Sequence, residues 1–329
     1  MEAVEKQIFQ IQSESDFQAI ALKIFHFQYK NCPIYQQYVK GVVRSIDTIK
    51  EAAQIPFLPI DFFKTHRIIS SEKQAEIIFK SSGTTATQVS HHHVAKLSVY
   101  EESLLGGFRY FIGEPQQFAI LAYLPSYREH NNSSLLYMLQ LLMQKSKHPL
   151  SGFYFNKEDE LIKNLQLLYN QNTKTILWGV SFALLDLIEK YKLHFPHLLV
   201  FETGGMKGKR KEILREELHQ RLKKGFGVDK IYSEYGMAEL LSQAYSTGNQ
   251  TFKTPLWMRV YIRDIYNPLH VYNTHNKRGG INIIDLANLY SCSFIATQDM
   301  GIIRENQSFE VLGRFDYSDI RGCNLLVEE

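Results

Sequence analysis

The sequence predicts an α/β fold, a helix-flanked and mainly parallel sheet followed by a β-rich C-terminal subdomain. Three observations lead there. Between residues 118 and 227, apolar runs of strand length alternate three times with amphipathic runs of helix length. Beyond about residue 230, short strand-like runs separated by turns replace the helices. The chain has 329 residues, 44% hydrophobic and 22% charged, enough to cover both faces of such a sheet.

Residues 1–50 read as helical, with Ser15 as cap for Phe17, Ile20, Ala21, Ile24 and Phe25 at helical spacing. "IPFLPIDFF" (55–63) breaks that pattern with two prolines. Ile77, Ile78 and Phe79 form a strand-like run that enters the hydroxyl-rich stretch Ser81 to Thr87. Strands follow at 118–125, 173–180 and 198–205. Helices lie between and after them: 133–146 capped by Ser133 or Ser134, 181–193, and 209–227 with a glycine stop. Such β-α-β succession implies parallel pairing, because only a crossover helix returns the chain to the same sheet edge. Four later strands, 258–265, 279–287, 292–305 and 308–316, suggest an antiparallel sub-barrel. No repeat or low-complexity linker interrupts the chain. The expected layout is one large body over 1–316 (helical to 70, α/β over 71–230, β-rich over 231–316) with a short tail, 317–329.

A net charge of +3 is too small to argue for nucleic acid or a membrane surface as partner, and neither is expected. Three scattered cysteines, Cys32, Cys292 and Cys323, fit neither a disulfide framework nor a zinc site and suit a reducing, cytoplasmic setting. No run approaches the ~20 apolar residues of a membrane span, and residues 1–17 lack the apolar core of a signal peptide.

The chemistry-bearing stretches have plain readings as well as functional ones. Ser81, Ser82, Gly83, Thr84 and Thr85 are ordinary loop residues, or a cradle whose backbone N–H groups and hydroxyls hold phosphate. The stretch is not a Walker loop, since Gln88 and Val89 stand where Gly-Lys is required. Gly204 and Gly205 are a tight turn, or a place where backbone approaches a planar ligand. In "YSEYGMAEL" (232–240), just after a strand, Tyr235 offers a flat face beside Gly236, and Glu239 is a stray acid or a magnesium ligand. Asp299 is a turn former or a ribose acceptor, and Arg314 a surface cation or a fork for oxygens. Three adjacent histidines, His91 to His93, make a poor metal tripod because neighbours point to different faces. One of them facing phosphate is the better reading. Tyr127 and His130 follow a strand and either border a carboxylate pocket or serve the loop alone.

In this order, the stretches resemble the adenylate-forming superfamily of acyl-CoA synthetases, peptide-synthetase adenylation domains and luciferases. That family has a Ser/Thr-Gly phosphate loop, a Gly-Gly turn before adenine, Tyr-Gly-x-x-Glu, Thr-Gly-Asp at the ribose, and Gly-Arg-x-Asp near a hinge. Here these match Ser81–Thr85, Gly204–Gly205, Tyr235–Glu239, Thr297–Asp299 and Gly313–Asp316. Ala86 to Val89 depart from the usual Gly-x-Pro-Lys, and Gln298 replaces a glycine. The sequence ends at Glu329, thirteen residues after Asp316, where the family continues into a lid domain bearing a catalytic lysine. A lidless shape, "IPFLPIDFFKTH" and "IRGCNLL" look most like the LuxE-type acyl-protein synthetases, with phenylacetate-CoA ligases next.

The resemblance implies ATP and Mg²⁺ as cofactors and activation of a carboxylic acid, a fatty acid first, to acyl-AMP. It puts Thr84 and Glu239 at the reacting phosphates, with Glu239 on magnesium, Tyr235 with Gly204 and Gly205 at adenine, and Asp299 and Arg314 at the ribose. It makes Cys323 the acceptor of the acyl group, or else a small buried hydrophobe. Three alternatives stay open: transfer to CoA or a carrier protein, a catalytically lapsed nucleotide-binding subunit that partners a reductase or acyltransferase, and an unrelated α/β protein whose motifs match by chance.

Overall fold

The computed structural model describes residues 1–72, 74–81, 89–125, 132–204, 210 and 213–315. Along the chain come α1 (Glu2–Ile8), α2 (Glu14–Asn31), α3 (Pro33–Val42), β1 (Leu58–Pro59), α4 (Phe62–Thr65), β2 (Ile77–Lys80), β3 (His91–Val94) and α5 (Leu97–Phe111). Then follow β4 (Ala119–Tyr123), α6 (Ser134–Ser146), β5 (Gly152–Phe153), α7 (Glu158–Asn170), β6 (Thr175–Val180), α8 (Ser181–Lys190), β7 (Leu199–Thr203) and α9 (Arg215–Phe226). The last strands are β8 (Ile231–Tyr235), β9 (Ala244–Ser246), β10 (Met258–Arg263), β11 (Arg278–Asp285), β12 (Phe294–Ile303) and β13 (Phe309–Arg314). Two compact units divide these: 1–62 with 68–72 and 256–329, and 63–67 with 73–255.

The first unit holds a sheet of order β1-β12-β11-β10, with β13 also on β12. β1 runs parallel to β12 and the other pairs are antiparallel. The expected sub-barrel is an open sheet: among the described strands no pairing closes it. The ten residues of β12 explain this, because one edge pairs with β1 at Ile295–Ala296 and with β13 from Asp299 onward. Helix α2 starts at a capping box in which Ser13 Oγ accepts from the Asp16 N–H and Asp16 accepts from the Ser13 N–H. The cap is therefore Ser13, not Ser15, which already lies inside the helix. The buried face of α2 ends in Gln28, whose amide donates to the Asn288 and Leu289 carbonyls at 2.9 Å and accepts from the Ser293 N–H. A fully satisfied buried amide fixes the β11–β12 turn to the helix.

The second unit is built on a six-stranded sheet of order β5-β4-β6-β7-β8-β9. All pairs are parallel except β8 with β9. Every residue of β4 and β6 is buried, as a strand covered on both faces requires. Ser133 caps α6, and α9 stops at Gly227, whose φ of 69° lies in the left-handed region. A Cβ there would sit 2.4 Å from His194 Nδ1, so the position needs glycine twice over. β2 and β3 form a separate antiparallel hairpin.

Candidate active site

The Ser/Thr-Gly stretch lies in the sequence between β2 and β3. The neck of the hairpin is closed by the Ser81 N–H to the Ser90 carbonyl and by the Ser90 N–H to Ser81 Oγ at 3.1 Å. Ser82, Gly83, Thr84 and Thr85 lie outside the described residues, as do Gly205, Tyr127, His130 and Cys323. The histidine run forms strand β3, with alternate residues buried. His92 is fully buried, its Nδ1 2.8 Å from the Ala238 carbonyl, with its ring edge-on to Phe63. A carbonyl only accepts, so Nδ1 carries the proton. Burial, more than the charge of His93, pulls the ring down to about 4, so it is neutral at physiological pH. His92 thus ties the strand leaving the Ser/Thr loop to the residue before Glu239. Among the described residues no three His, Cys, Asp or Glu side chains are grouped to hold a metal.

Tyr235 is the last residue of β8 rather than a residue beyond it. β7 and β8 pair with Glu202 opposite Ser233, which brings Gly204 and Tyr235 to the same end of adjacent strands. Gly204 has a φ of 78°, the conformation that turns the backbone out of the strand. Tyr235 packs on Phe252, over which Arg215 sits at 4.8 Å. Glu239 is 4% exposed. Gly236 is exposed, and a Cβ there would meet Glu234 Oε1 at 2.3 Å.

Beneath this strand end lies a polar core that sequence reasoning missed. Glu202, 4% exposed, accepts from Ser233 Oγ at 2.6 Å and Ser181 Oγ at 2.8 Å, and His219 Nε2 lies 3.4 Å away. Burial alone would raise this carboxyl. The His219 hydrogen bond, the Arg215 charge and Ser233 overcome it and hold it at about 2. On the opposite face of the sheet Glu234 behaves in the reverse way. Burial and the neighbouring Glu202 charge push it to about 7, against the hydrogen bond that Thr203 Oγ1 donates at 2.8 Å. The available signal was an acid within a buried strand, where Glu is rarely found unless paired.

Asp299 and Arg314 belong to the first unit. They are cross-strand partners on β12 and β13, with Nε to Oδ1 at 3.6 Å, Arg314 82% exposed and Asp299 13%. The Asp299 N–H donates to Thr297 Oγ1, Gln298 donates to Asp61, and Gly313 takes a φ of 137°.

A cavity of about 570 Å³ near the end of β4 is lined by Tyr123, Glu158, Asp159, Asp186 and Lys190 among others. None of the predicted residues that are described lines it. Its acids are engaged, Glu158 by Tyr123 and Lys190, Asp159 by Tyr191 and Asp186 by Arg210.

The sequence matches the family described as acyl-protein synthetase, LuxE, over residues 7–329. The chain belongs to the LuxE acyl-protein synthetase family. No curated protein matches it. Among solved structures, it is similar to ATP-bound MatB from Rhodopseudomonas palustris at 16% identity and a TM-score of 0.53, covering 72% of this chain and 47% of that one. It is similar to 2-hydroxyisobutyryl-CoA ligase, solved with 2-HIB-AMP and CoA, at 13% identity and a TM-score of 0.64, covering 96% and 68%. The chain thus spans about half the length of the MatB structure and two thirds of the ligase. At these identities the likeness establishes the fold, that of adenylate-forming enzymes, in agreement with the α/β architecture expected from the strand–helix alternation.

Proposed function

We propose that this chain activates a carboxylic acid with ATP, forming acyl-AMP and pyrophosphate, and passes the acyl group to a protein thiol. The observation that carries the reading is the His92–Ala238 hydrogen bond at 2.8 Å. It couples the hairpin bearing the Ser/Thr-Gly loop to the Tyr-Gly-x-x-Glu segment, the two elements a phosphate site would need. LuxE family membership supports it independently.

In the first step a carboxylate oxygen of the acid attacks the α-phosphorus of ATP. A P–O bond forms, the bond to the β-phosphate oxygen breaks, and pyrophosphate leaves. Chemistry of this kind asks the protein for position and charge stabilisation. Ser81, Ser82, Gly83, Thr84 and Thr85 would donate to the phosphates. Tyr235 with Gly204 and Gly205 would hold the adenine ring, and Gly236 beside them keeps the backbone close. Asp299 would accept from the ribose hydroxyls, and Arg314, with its guanidinium exposed, would reach ribose or phosphate oxygens. Tyr127 and His130 would border the acid. Glu239 suits magnesium, which takes one or two protein carboxylates and completes its shell with phosphate oxygens and water. When bound, the ion would supply charge neutralisation at those oxygens.

In the second step the Cys323 thiolate attacks the acyl carbon. The S–C bond forms and the C–O bond to phosphate breaks, releasing AMP. Cys32 and Cys292 are both fully buried, and burial raises both thiols, so neither presents a thiolate at neutral pH. Cys323 is flanked by Arg321, a cation that favours thiolate. The match to 2-hydroxyisobutyryl-CoA ligase over 96% of this chain favours a second reading, in which CoA or a carrier protein takes the acyl group and Cys323 is structural. Incubation with ATP, Mg²⁺ and a labelled acid separates them. Self-acylation predicts hydroxylamine-labile label on the wild type and none on Cys323→Ser. Label that persists in the variant, or resides on Cys32 or Cys292, rejects it.

A further inference from the structure

Two buried polar groups, Gln243 and Tyr245, and the part-buried Glu234 lie around the start of the β8–β9 pairing with hydrogen-bonding capacity left over. Glu234 Oε2 accepts from Thr203, while Oε1 is turned toward Gly236, 2.3 Å from where a Cβ would stand. The Gln243 side chain approaches the same point, its Cγ 3.4 Å away. Gln243 is 6% exposed, and its Oε1 has no hydrogen-bond partner among the described residues. Tyr245 stands opposite Glu234 in the β8–β9 pairing, is 1% exposed, and has an equally unpartnered hydroxyl. On α5, Tyr100 faces the same carboxylate: burial, then the Glu234 charge, push the Tyr100 and Tyr245 phenols well above the ordinary range.

Buried polar groups are paired in about 90% of cases or more. Each one left unmet costs on the order of 1–3 kcal/mol. Two neighbours left unmet, beside a part-buried carboxylate, describe a surface shaped for a polar guest. The inventory says what the guest brings. The Gln243 carbonyl only accepts, Glu234 does so when ionised, and Tyr245 can do either, so the guest must bring a donor for Gln243. Side chains alternate along a strand, which points Tyr235 and Glu234 to opposite faces of β8. If Tyr235 contacts adenine, the Glu234 face is left to the other substrate.

We propose that the acid activated by this chain carries a hydrogen-bond-donating substituent, an ammonium or hydroxyl group, received by Glu234, Gln243 and Tyr245. The substrate class is then an amino or hydroxy acid rather than an unsubstituted fatty acid. This rests on the adenylation reading above. An ammonium would also favour the ionised form of Glu234, which burial otherwise opposes.

The test is acid-dependent ATP–pyrophosphate exchange with matched pairs, each straight-chain or aryl acid beside its amino- and hydroxy-substituted counterparts. The best substituted acid is expected to exceed its unsubstituted partner about tenfold or more in kcat/KM, the discrimination of a hydrogen bond to a charged group. Glu234→Gln and Tyr245→Phe should each lower that ratio several-fold. Tyr245→Phe removes an unmet hydroxyl, so the unliganded protein should melt at the same temperature or higher. Exchange that favours unsubstituted acids, with a ratio indifferent to both variants, overturns the inference and leaves adenylation standing. A clear loss of melting temperature in Tyr245→Phe overturns it too, because the hydroxyl then has a partner already. Exchange with no acid of any class sinks the adenylation reading and this inference with it.

Discussion

Replacing Glu234 by Gln should stabilise the protein at alkaline pH and do nothing at acid pH. A free glutamate titrates near 4.5, and in the folded chain burial and the Glu202 charge move Glu234 to about 7. Below 4.5 both states are protonated and the site contributes no pH dependence. Between 4.5 and 7 only the folded state keeps the proton, so stability falls as pH rises. Above 7 the penalty is complete, at about 3 kcal/mol. His92 works in the opposite direction. Its ring is moved from 6.5 down to about 4, so the unfolded chain binds the proton first and stability rises with pH across that window. The two slopes offset each other between 4.5 and 6.5, and the wild-type profile alone would conceal both. The difference between wild type and Glu234→Gln isolates one of them. Gln keeps an oxygen for the Thr203 hydroxyl, so packing and hydrogen bonding are conserved. Urea unfolding at pH 4.5 and pH 8 should give a difference near zero at the lower pH and about 3 kcal/mol in favour of the variant at the higher. A difference that does not change with pH refutes the burial argument. A carboxyl held at a cost under physiological conditions is the kind of residue retained for function.

Three further outcomes follow from the same geometry. His92→Ala should lose about 3 kcal/mol through the cavity beside Phe63 and the orphaned Ala238 carbonyl, and should reduce the melting shift that ATP with Mg²⁺ produces; an unchanged shift would uncouple the hairpin from Glu239. Glu202→Ala leaves the Ser181 and Ser233 hydroxyls and His219 without their acceptor and should cost about 3–5 kcal/mol in urea unfolding, whereas a loss below about 1 kcal/mol would mean the pair adds nothing. Thr84→Val should lower pyrophosphate exchange by about 10²–10³ while ATP affinity changes little, and equal losses in both would make the loop a ground-state binder.

The alternation of strands and helices was legible because β4, β6 and β7 are near-continuous apolar runs, each followed by a helix-length segment. Helix starts were less so. Ser13 and Ser15 both suit a cap, and only the reciprocal bond with Asp16 selects the first. Residues 213 and 214 read as helix from the charge pattern around them, yet α9 begins at Arg215, with Leu214 extended as its N-cap. Strand β3 was hidden because three histidines carry no apolar alternation, although His92 alone turns inward. The Glu202 network was out of reach for a different reason. Its partners are 14 to 31 residues apart in sequence, and parallel pairing of β7 with β8 is what brings them together. Gly204, Tyr235 and Glu239 could be picked out as a motif; that His92 anchors the segment could not, since a hydrogen bond from 146 residues away leaves no local pattern.

Isotope exchange between pyrophosphate and ATP, with and without added carboxylic acid, tests the account most directly. The account predicts exchange that requires both Mg²⁺ and an acid, is lost in Thr84→Val, is weakened in Glu239→Gln, and survives in Cys323→Ser. Acid-independent exchange, or none from folded protein that still binds ATP, would contradict it and leave a nucleotide-binding subunit without adenylation chemistry.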